Sequence, residues 1–409
     1  MTMQREVTIA LMGVGGYGGA YVAELLDAPR DRGVRIVAAI DPAAERCPRL
    51  AELQARGGAV FADAERFYET ATADLAVISA PIHLHAPLTR LALEKGSNVL
   101  CEKPLCATVQ EALYLLDAER QSGRFAAIGY QWSFSDTVQA LKKDILAGRL
   151  GKPRRIKTLC SWPRRASYYG RSRWAGALRT DSGAWVLDSP ANNATAHYLH
   201  NMFYLLGGSR ETAALPSDVQ AELYRANAIQ SFDTAAIRCH TDQGVEVLFY
   251  TTHAVPSMIG PVVCCEFDEA VVHFASEAGN RFVARFRNGE VKDYGIPDAG
   301  TGGKLWQVVE AVRSGALPAC GIRAAMAQTI CINGAHDSVP AIAVFPDDVV
   351  RRETDARGDC LTWVAGLQAA LVQAYDRWAL PSEIGDVAWA RAGARVLLKD
   401  YHSFPRIDD

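Results

Sequence analysis

The sequence predicts an α/β chain in two parts. A doubly wound parallel sheet is expected over residues 1–130, and an α/β domain with a large open, mainly antiparallel sheet over residues 131–409, whose C-terminal helices are free to pack back on the first domain. Two patterns carry this. Up to Tyr130, short apolar runs alternate with amphipathic helical stretches, the grammar of parallel strands joined by crossover helices. Beyond residue 131 the runs lengthen and follow one another with few helices between them, as antiparallel strands do. A chain of 409 residues, 49% hydrophobic, is long enough for two or three domains. No internal repeat or low-complexity linker divides it.

The first strand, Val7 to Met12, runs straight into Gly13-x-Gly15-x-x-Gly18, and Ala20–Leu26 then reads as an amphipathic helix. In such a strand–turn–helix, Gly13 permits the tight turn. Gly15 lets the backbone approach a pyrophosphate, and Gly18 lets the helix pack on the strand. The phosphates are expected at the helix N-terminus, where unpaired N–H groups and the helix dipole favour an anion. The second strand, Val34–Ile40, ends in Asp41, 23 residues after Gly18, where an acidic side chain accepts the hydroxyls of an adenosine ribose. Asp41 favours NAD over NADP, with nearby Arg46 softening that preference.

Pro42–Arg56 reads as helix, Val60-Phe61 as a short strand and Leu75–Ser79 as a buried strand. A helix over Leu84–Lys95 stops at Gly96. Asn98–Cys101 is the fifth strand, Thr108–Ser122 a helix with Thr108 as N-cap and Glu111 completing a capping box, and Phe125–Tyr130 the sixth strand. In the second part, a helix over Asp136–Ala147 precedes strands at Arg155–Ser161, Val219–Ala228, Ala235–His240, Val245–Thr252, Val262–Phe267, Val271–Ala275 and Phe282–Phe286. Helices are expected over Ala191–Leu206, residues 304–340 and Leu361–Trp378, with Pro340–Val350 extended.

The net charge of −3 provides no basic field, so no nucleic-acid partner is expected. The ten cysteines form no CxxC pair, which argues against a disulfide framework or zinc knuckle. Met1–Glu6 leads into the first strand without a signal-peptide pattern, and no apolar run reaches spanning length. A cytoplasmic protein with no membrane partner is the expectation.

With these residues in view, the chain resembles the Gfo/Idh/MocA oxidoreductases, the family of glucose–fructose oxidoreductase and inositol dehydrogenase. The markers stand in family order: the Gly13–Gly18 loop, Pro81-Ile82-His83-Leu84-His85 with Ala92–Gly96, Glu102-Lys103-Pro104, and His197-Tyr198-Leu199-His200 before Leu205-Leu206-Gly207. The resemblance is closest over residues 7–207. It implies a Rossmann domain, a C-terminal substrate domain and a nicotinamide cofactor between them. NAD is the expected cofactor, with NADP possible. The cofactor-binding residues it implies are Gly13, Gly15, Gly16, Tyr17, Gly18 and Asp41, then Ala80, Pro81, His85, Glu102 and Lys103.

By the same resemblance Lys103 contacts the substrate hydroxyl, where a cation favours alkoxide character. His197 matches the catalytic histidine, and imidazole suits proton exchange near neutral pH. The family's aspartate four residues earlier is here Asn193, which on a continuous helix would share a face with His197. Asn193 can orient a hydroxyl or the imidazole but cannot take a proton. Asp188 lies nearby, and a local insertion would let it supply the missing carboxylate. His200 stands where the family has an acid, and a packing role is expected for it. His197 and His200 lack a third ligand at recognisable spacing, so no metal is expected.

The segment Ser161–Trp174 is rich in aromatics and arginines. Trp and Tyr faces suit sugar faces, and Arg suits hydroxyl, carboxylate or phosphate groups. Trp162, Arg164, Tyr169, Arg173 and Trp174 are therefore substrate-binding candidates, with Gln131, Asn193 and His197. The expected activity is NAD(P)-dependent hydride transfer to or from a secondary hydroxyl or ketone of a sugar, cyclitol or related polyol. Two alternatives stand beside it: a redox-neutral hydrolase, lyase or epimerase using transient oxidation, and a non-catalytic NAD-binding regulator. An open sheet with one uncovered apolar face, marked by Val245, Phe249, Val263 and Phe267, would give a homodimer or homotetramer.

Overall fold

A computed structural model describes residues 5–276, 279–297, 300–385 and 387–406. Residues 1–4, at the head of the segment read as lacking a signal peptide, lie outside the described residues. The chain divides into two units. The first comprises Met1–Cys106, Glu111–Ser135 and Asp298–Ala325, and the second Ala107–Gln110, Asp136–Pro297 and Met326–Asp409.

In the first unit the elements are β1 (Val7–Met12), α1 (Gly18–Asp27), β2 (Val34–Ile40), α2 (Leu50–Ala55), β3 (Ala59–Phe61), α3 (Ala64–Thr70), β4 (Leu75–Ile78), α4 (Ile82–Glu94), β5 (Asn98–Cys101), α5 (Val109–Ser122) and β6 (Ala126–Ile128). The six strands are parallel in the order β3-β2-β1-β4-β5-β6. The order reverses between β1 and β4, and ligands of such sheets bind beyond the carboxyl ends of the strands at that point. Every residue of β4 and β5 is buried, which explains their uninterrupted apolar reading. The helix expected over Pro42–Arg56 is shorter. A 3₁₀ turn covers Ala44–Arg46, Cys47 is extended at φ −75° and ψ 116°, and α2 starts at Leu50. Pro48 is the cause, since proline disfavours helical backbone in the residue before it.

The second unit starts with α6 (Asp136–Leu146), β7 (Pro153–Ser161), α7 (Ala166–Gly170) and α8 (Ala196–Leu205). There follow β8 (Pro216–Arg225), β9 (Thr234–Thr241), β10 (Glu246–Thr252), β11 (Ile259–Phe267), β12 (Ala270–Ala275), β13 (Phe282–Phe286) and β14 (Val291–Gly295). After them come α9 (Thr301–Ser314), α10 (Ile322–Ser338), β15 (Ala343–Val344), β16 (Val350–Thr354), β17 (Cys360–Val364), α11 (Leu367–Arg377) and β18 (Val396–Leu397). α9 belongs to the first unit, although its residues fall within the 131–409 stretch read as the second domain, from which C-terminal helices are free to pack back. The large sheet has ten strands, β14-β13-β12-β11-β7-β10-β9-β8-β15, with β18 also on β8. It is antiparallel except at β7–β10 and β8–β15.

Two expectations change here. The helix expected over Leu361–Trp378 is β17 followed by α11, separated by Gly366 at φ +78°. The β-branched and aromatic run Thr362-Trp363-Val364 takes the strand instead and pairs with β16. The apolar sheet face is also covered within the chain. Val245, Phe249, Val263 and Phe267 are all at most 4% exposed. On the other face α11 packs Leu367, Leu371 and Tyr375 onto Leu159, Leu248 and Tyr250. Those four residues therefore offer no open face for a second copy.

Candidate functional site: a glycine loop and the helix of His197

The glycine loop is built as its spacing requires. Gly13 has φ +87°, and a Cβ there would lie 2.4 Å from the Ser79 carbonyl oxygen. A Cβ on Gly18 would lie 2.2 Å from the Gly13 carbonyl oxygen, so the α1–β1 packing excludes any side chain. Gly15 differs: a Cβ there meets only Asp41 Oδ2, at 3.9 Å, and one on Gly16 meets nothing within 4 Å. The first two glycines are demanded by the fold itself. The other two leave bare backbone at the head of a ten-residue helix with no acidic residue in its first turn. That is the condition for a phosphate to approach.

Asp41 Oδ2 accepts the N–H groups of Val14 at 3.0 Å and Gly15 at 3.4 Å, and Oδ1 accepts that of Ala43 at 2.9 Å. The carboxylate thus stands at the end of β2 and against the glycine loop, where the ribose of a dinucleotide is expected. Tyr17 is half exposed in the same loop, with its hydroxyl 3.1 Å from Thr301 Oγ1. Pro81 caps α4 just after Ala80, beyond the end of β4. These residues fit a bound dinucleotide.

His85 and Glu102 are placed differently from the expectation that they bind cofactor. His85 is 1% exposed, and its ring nitrogens face the carbonyl oxygens of Pro104 at 2.6 Å and Ala80 at 2.9 Å. It bridges the segments after β4 and β5 and has no polar atom left for a ligand. Glu102 is buried, accepts the Tyr21 hydroxyl at 2.6 Å and pairs with Lys304 of α9. Burial alone would raise its carboxyl, but the Lys304 ammonium, the Tyr21 hydroxyl and Lys103 together hold it below the usual carboxylate range. Gly129 packs against it, and a Cβ there would lie 3.0 Å from Glu102 Oε1 and press on the carboxylate.

Lys304 was missed by sequence reading. Its signal was a lysine on the apolar stripe Leu305, Val308, Val309 and Val312, all buried in α9. Lys103 directly follows Glu102, and its own N–H lies 3.3 Å from Glu102 Oε2. Gln131 opens a 3₁₀ turn over Gln131–Phe134 and is half-buried in the same unit.

In the second unit, α8 begins at Ala196, not at residue 191. Residues 189–195 form turns. Asn193 N–H donates to Ser189 O at 2.9 Å, and the N–H and hydroxyl of Thr195 both donate to Pro190 O at 2.8 Å. Short polar side chains that bond their local backbone compete with helix in this way. Asn193 therefore precedes the helix and does not share a helical face with His197. Its Nδ2 instead donates to Asp188 Oδ1 at 2.7 Å. Asp188 Oδ2 accepts Gly176 N–H at 2.7 Å and lies 3.5 Å from Arg171. Within α8, His197 is half-buried. His200 is fully buried and stacks on Tyr204 at 5.6 Å, and burial with nearby Lys142 pushes its pKa down to about 3. The packing role expected of His200 agrees with this position.

In the aromatic–arginine segment, Trp162 donates Nε1–H to Gly260 O at 3.1 Å and meets Tyr198 edge-on at 5.6 Å. The Arg171 guanidinium lies 3.8 Å from the Tyr168 ring and 5.0 Å from the Trp174 ring. Tyr169 Oη lies 3.2 Å from Nδ1 of His253, a buried residue that sequence reading did not single out. Arg173, at 93% side-chain exposure beside Asp181, points to solvent and away from this cluster. Among the described residues no three His, Cys, Asp or Glu side chains group as metal ligands, and no helix is long and apolar enough to cross a membrane.

Strand order, glycine loop and Asp41 define the first unit as a dinucleotide-binding α/β domain of the Rossmann type. Residues 7–130 match the model of the oxidoreductase family with an NAD-binding Rossmann fold. By that segment the chain is similar to the Gfo/Idh/MocA oxidoreductases. It is 33% identical over 150 residues to inositol 2-dehydrogenase 4 of Saccharopolyspora erythraea, covering 36% of this chain and 44% of that one. It is 29% identical over 182 residues to a 1-carboxy-3-chloro-3,4-dihydroxycyclohexa-1,5-diene dehydrogenase of Comamonas testosteroni, covering 44% and 45%. The chain thus spans about half the length of these curated relatives. The WlbA dehydrogenase of Bordetella pertussis, solved with NADH and UDP-GlcNAcA, superposes with a TM-score of 0.67 at 20% identity over 82% of this chain and 98% of that one. At that identity the likeness is one of fold.

Proposed function

We propose that the protein is an NAD(P)-dependent dehydrogenase acting on a secondary hydroxyl or ketone of a sugar, cyclitol or related polyol, with NAD preferred. The observation that carries this reading is the loop Gly13–Gly18 with Asp41 turned onto it: backbone left bare where phosphates need it, and a carboxylate where a ribose needs it. The relatives named as inositol and cyclohexadiene-diol dehydrogenases support a ring carbon bearing a hydroxyl as the reacting centre.

NAD, when bound, supplies the hydride acceptor. The chain's own residues handle the proton and the oxygen. Hydride leaves a carbon only as its hydroxyl is deprotonated, and His197 is the proton acceptor in this reading. Lys103 is the cation that favours negative charge on a substrate oxygen in this reading. Asn193 is a positioning residue. An ionised Asp188 can only accept, so the NH₂ end of the Asn193 amide faces it, and this fixes the direction of the amide oxygen. In the reading proposed here the protein works in the cytoplasm, and a homo-oligomer would use a surface other than the buried face of Val245, Phe249, Val263 and Phe267. The test is to incubate the protein with NAD and a panel of sugars and cyclitols. Net NADH formation supports a dehydrogenase. Product without NADH favours a redox-neutral cycle, and tight NAD binding with no product favours a regulator.

A further inference from the structure

We propose that the substrate of the dehydrogenase reading above carries a carboxylate, seated against the guanidinium of Arg164 beside His253 and Tyr169. Four arginines stand between Ser161 and Trp174. Three meet an acid: Arg165 lies 3.6 Å from Asp355, Arg171 3.5 Å from Asp188 and Arg173 3.4 Å from Asp181. Arg164 meets none among the described residues. Its guanidinium touches the carbonyl of its neighbour Pro163, from Nη1 at 3.4 Å, and the Tyr168 hydroxyl, while its Nε is buried without a hydrogen-bond partner. The guanidinium is held at 5.1 Å from the Tyr168 ring and 5.8 Å from the Trp162 ring. A cation kept partly buried against aromatic rings, with a donor unused, calls for an anionic acceptor.

A second, independent observation points to the same place. His253 is 1% exposed, and its Nε2 has no hydrogen-bond partner although Nδ1 lies 3.2 Å from the Tyr169 hydroxyl. Burial, then Arg164 and Arg171, push its pKa well below the ordinary value, so the ring is neutral and adds no charge. The two groups are neighbours by construction. Arg164 follows β7 and His253 follows β10, which run parallel, and Arg164 N–H donates to His253 O at 3.2 Å. Both stand beyond the carboxyl ends of adjacent parallel strands, the side on which open α/β sheets bind ligands.

The charge balance selects the anion. Arg171 is already opposed by Asp188, and the buried Asp233 near Tyr169 is taken up by the N–H groups of Ala226 and Asn227, so Arg164 is the guanidinium of the cluster with no carboxylate against it among the described residues. One carboxylate matches it, whereas a phosphate monoester brings about 1.5 to 2 negative charges at neutral pH. Asp188 also holds Asn193, so the cluster is joined to the residue just before α8.

The experiment is calorimetric titration of the full-length, NAD-saturated protein with matched ligands: D-glucose, D-glucuronate, D-gluconate and glucose 6-phosphate, and myo-inositol against quinate. At least one carboxylate should bind about tenfold or more tightly than its neutral counterpart and than the phosphate. Arg164→Gln should abolish that preference, and Arg164→Lys should retain part of it, with the thermal unfolding of both variants confirming a native fold. The proposal is overturned if no carboxylate outbinds its neutral partner, if the phosphate binds best, or if folded Arg164→Gln keeps the preference. Failure of the dehydrogenase reading looks different: a carboxylate preference that depends on Arg164 with no NADH formed from any ligand.

Discussion

Asn193 donates its side-chain amide to Asp188 across 2.7 Å, just before the helix that presents His197. The pair is a carboxylate and an amide, and the difference matters. Asn193→Asp would set two carboxylates at that separation, and the pair would hold on to a proton because both cannot ionise cheaply. A carboxyl whose folded pKa is raised costs stability as pH rises through that pKa. The variant should therefore lose stability relative to wild type between about pH 5 and pH 8, and its turnover should fall at the alkaline end. Thermal unfolding and kcat recorded across that range check this. A variant equal to wild type at pH 8 would contradict the close pairing of the two side chains.

Lys304→Met should be strongly destabilising, since it leaves the Glu102 carboxylate buried without its cation. The expected cost is about 3–5 kcal/mol in denaturant unfolding. Adding Glu102→Gln should recover much of it, because a neutral amide needs no counter-charge. If the double variant is no better than the single, the pair is not the source of the loss. The Glu102 carboxyl is held below its ordinary range, so its stabilising contribution is present at neutral pH. It should disappear as pH falls through the folded pKa.

His200→Phe should be tolerated. The ring is fully buried against Tyr204, and its pKa, pushed down to about 3, keeps it neutral in the working range. A kcat within a few-fold of wild type is expected from the steady-state assay. A dead but folded variant would move the chemistry along α8.

Asp41→Ser should weaken NAD and narrow its advantage over NADP, because the carboxylate that repels a 2′-phosphate is gone. Measured as kcat/KM for the two cofactors, a native preference of tenfold or more for NADP, about 1.4 kcal/mol, would contradict the ribose assignment.

The first unit was largely legible because its signals are local. Gly13 is marked by its own positive φ and Gly18 by a contact with the Gly13 carbonyl, both within one strand–turn–helix, and the buried runs of β4 and β5 announce themselves without reference to partners. What escaped depended on residues distant in sequence or on one local override. Lys304 lies 202 positions from Glu102, so nothing near Glu102 reveals its counter-ion. His253 acquires meaning only when β10 runs beside β7. The helix of His197 was read five residues too long because its apolar and small residues continue upstream, while Ser189, Pro190 and Thr195 satisfy the backbone as turns. Phe249 and Val263 looked like an open face because sequence periodicity shows which residues face together, not what covers them.

The central claim is that His197 takes the proton while hydride goes to NAD. It is tested most directly by steady-state NADH formation in wild type and His197→Ala, with NAD affinity measured on both. The variant should lose about 10²- to 10⁴-fold in kcat, the usual scale of acid–base catalysis, while its Kd for NAD stays within a few-fold. Wild-type turnover in His197→Ala would contradict the claim.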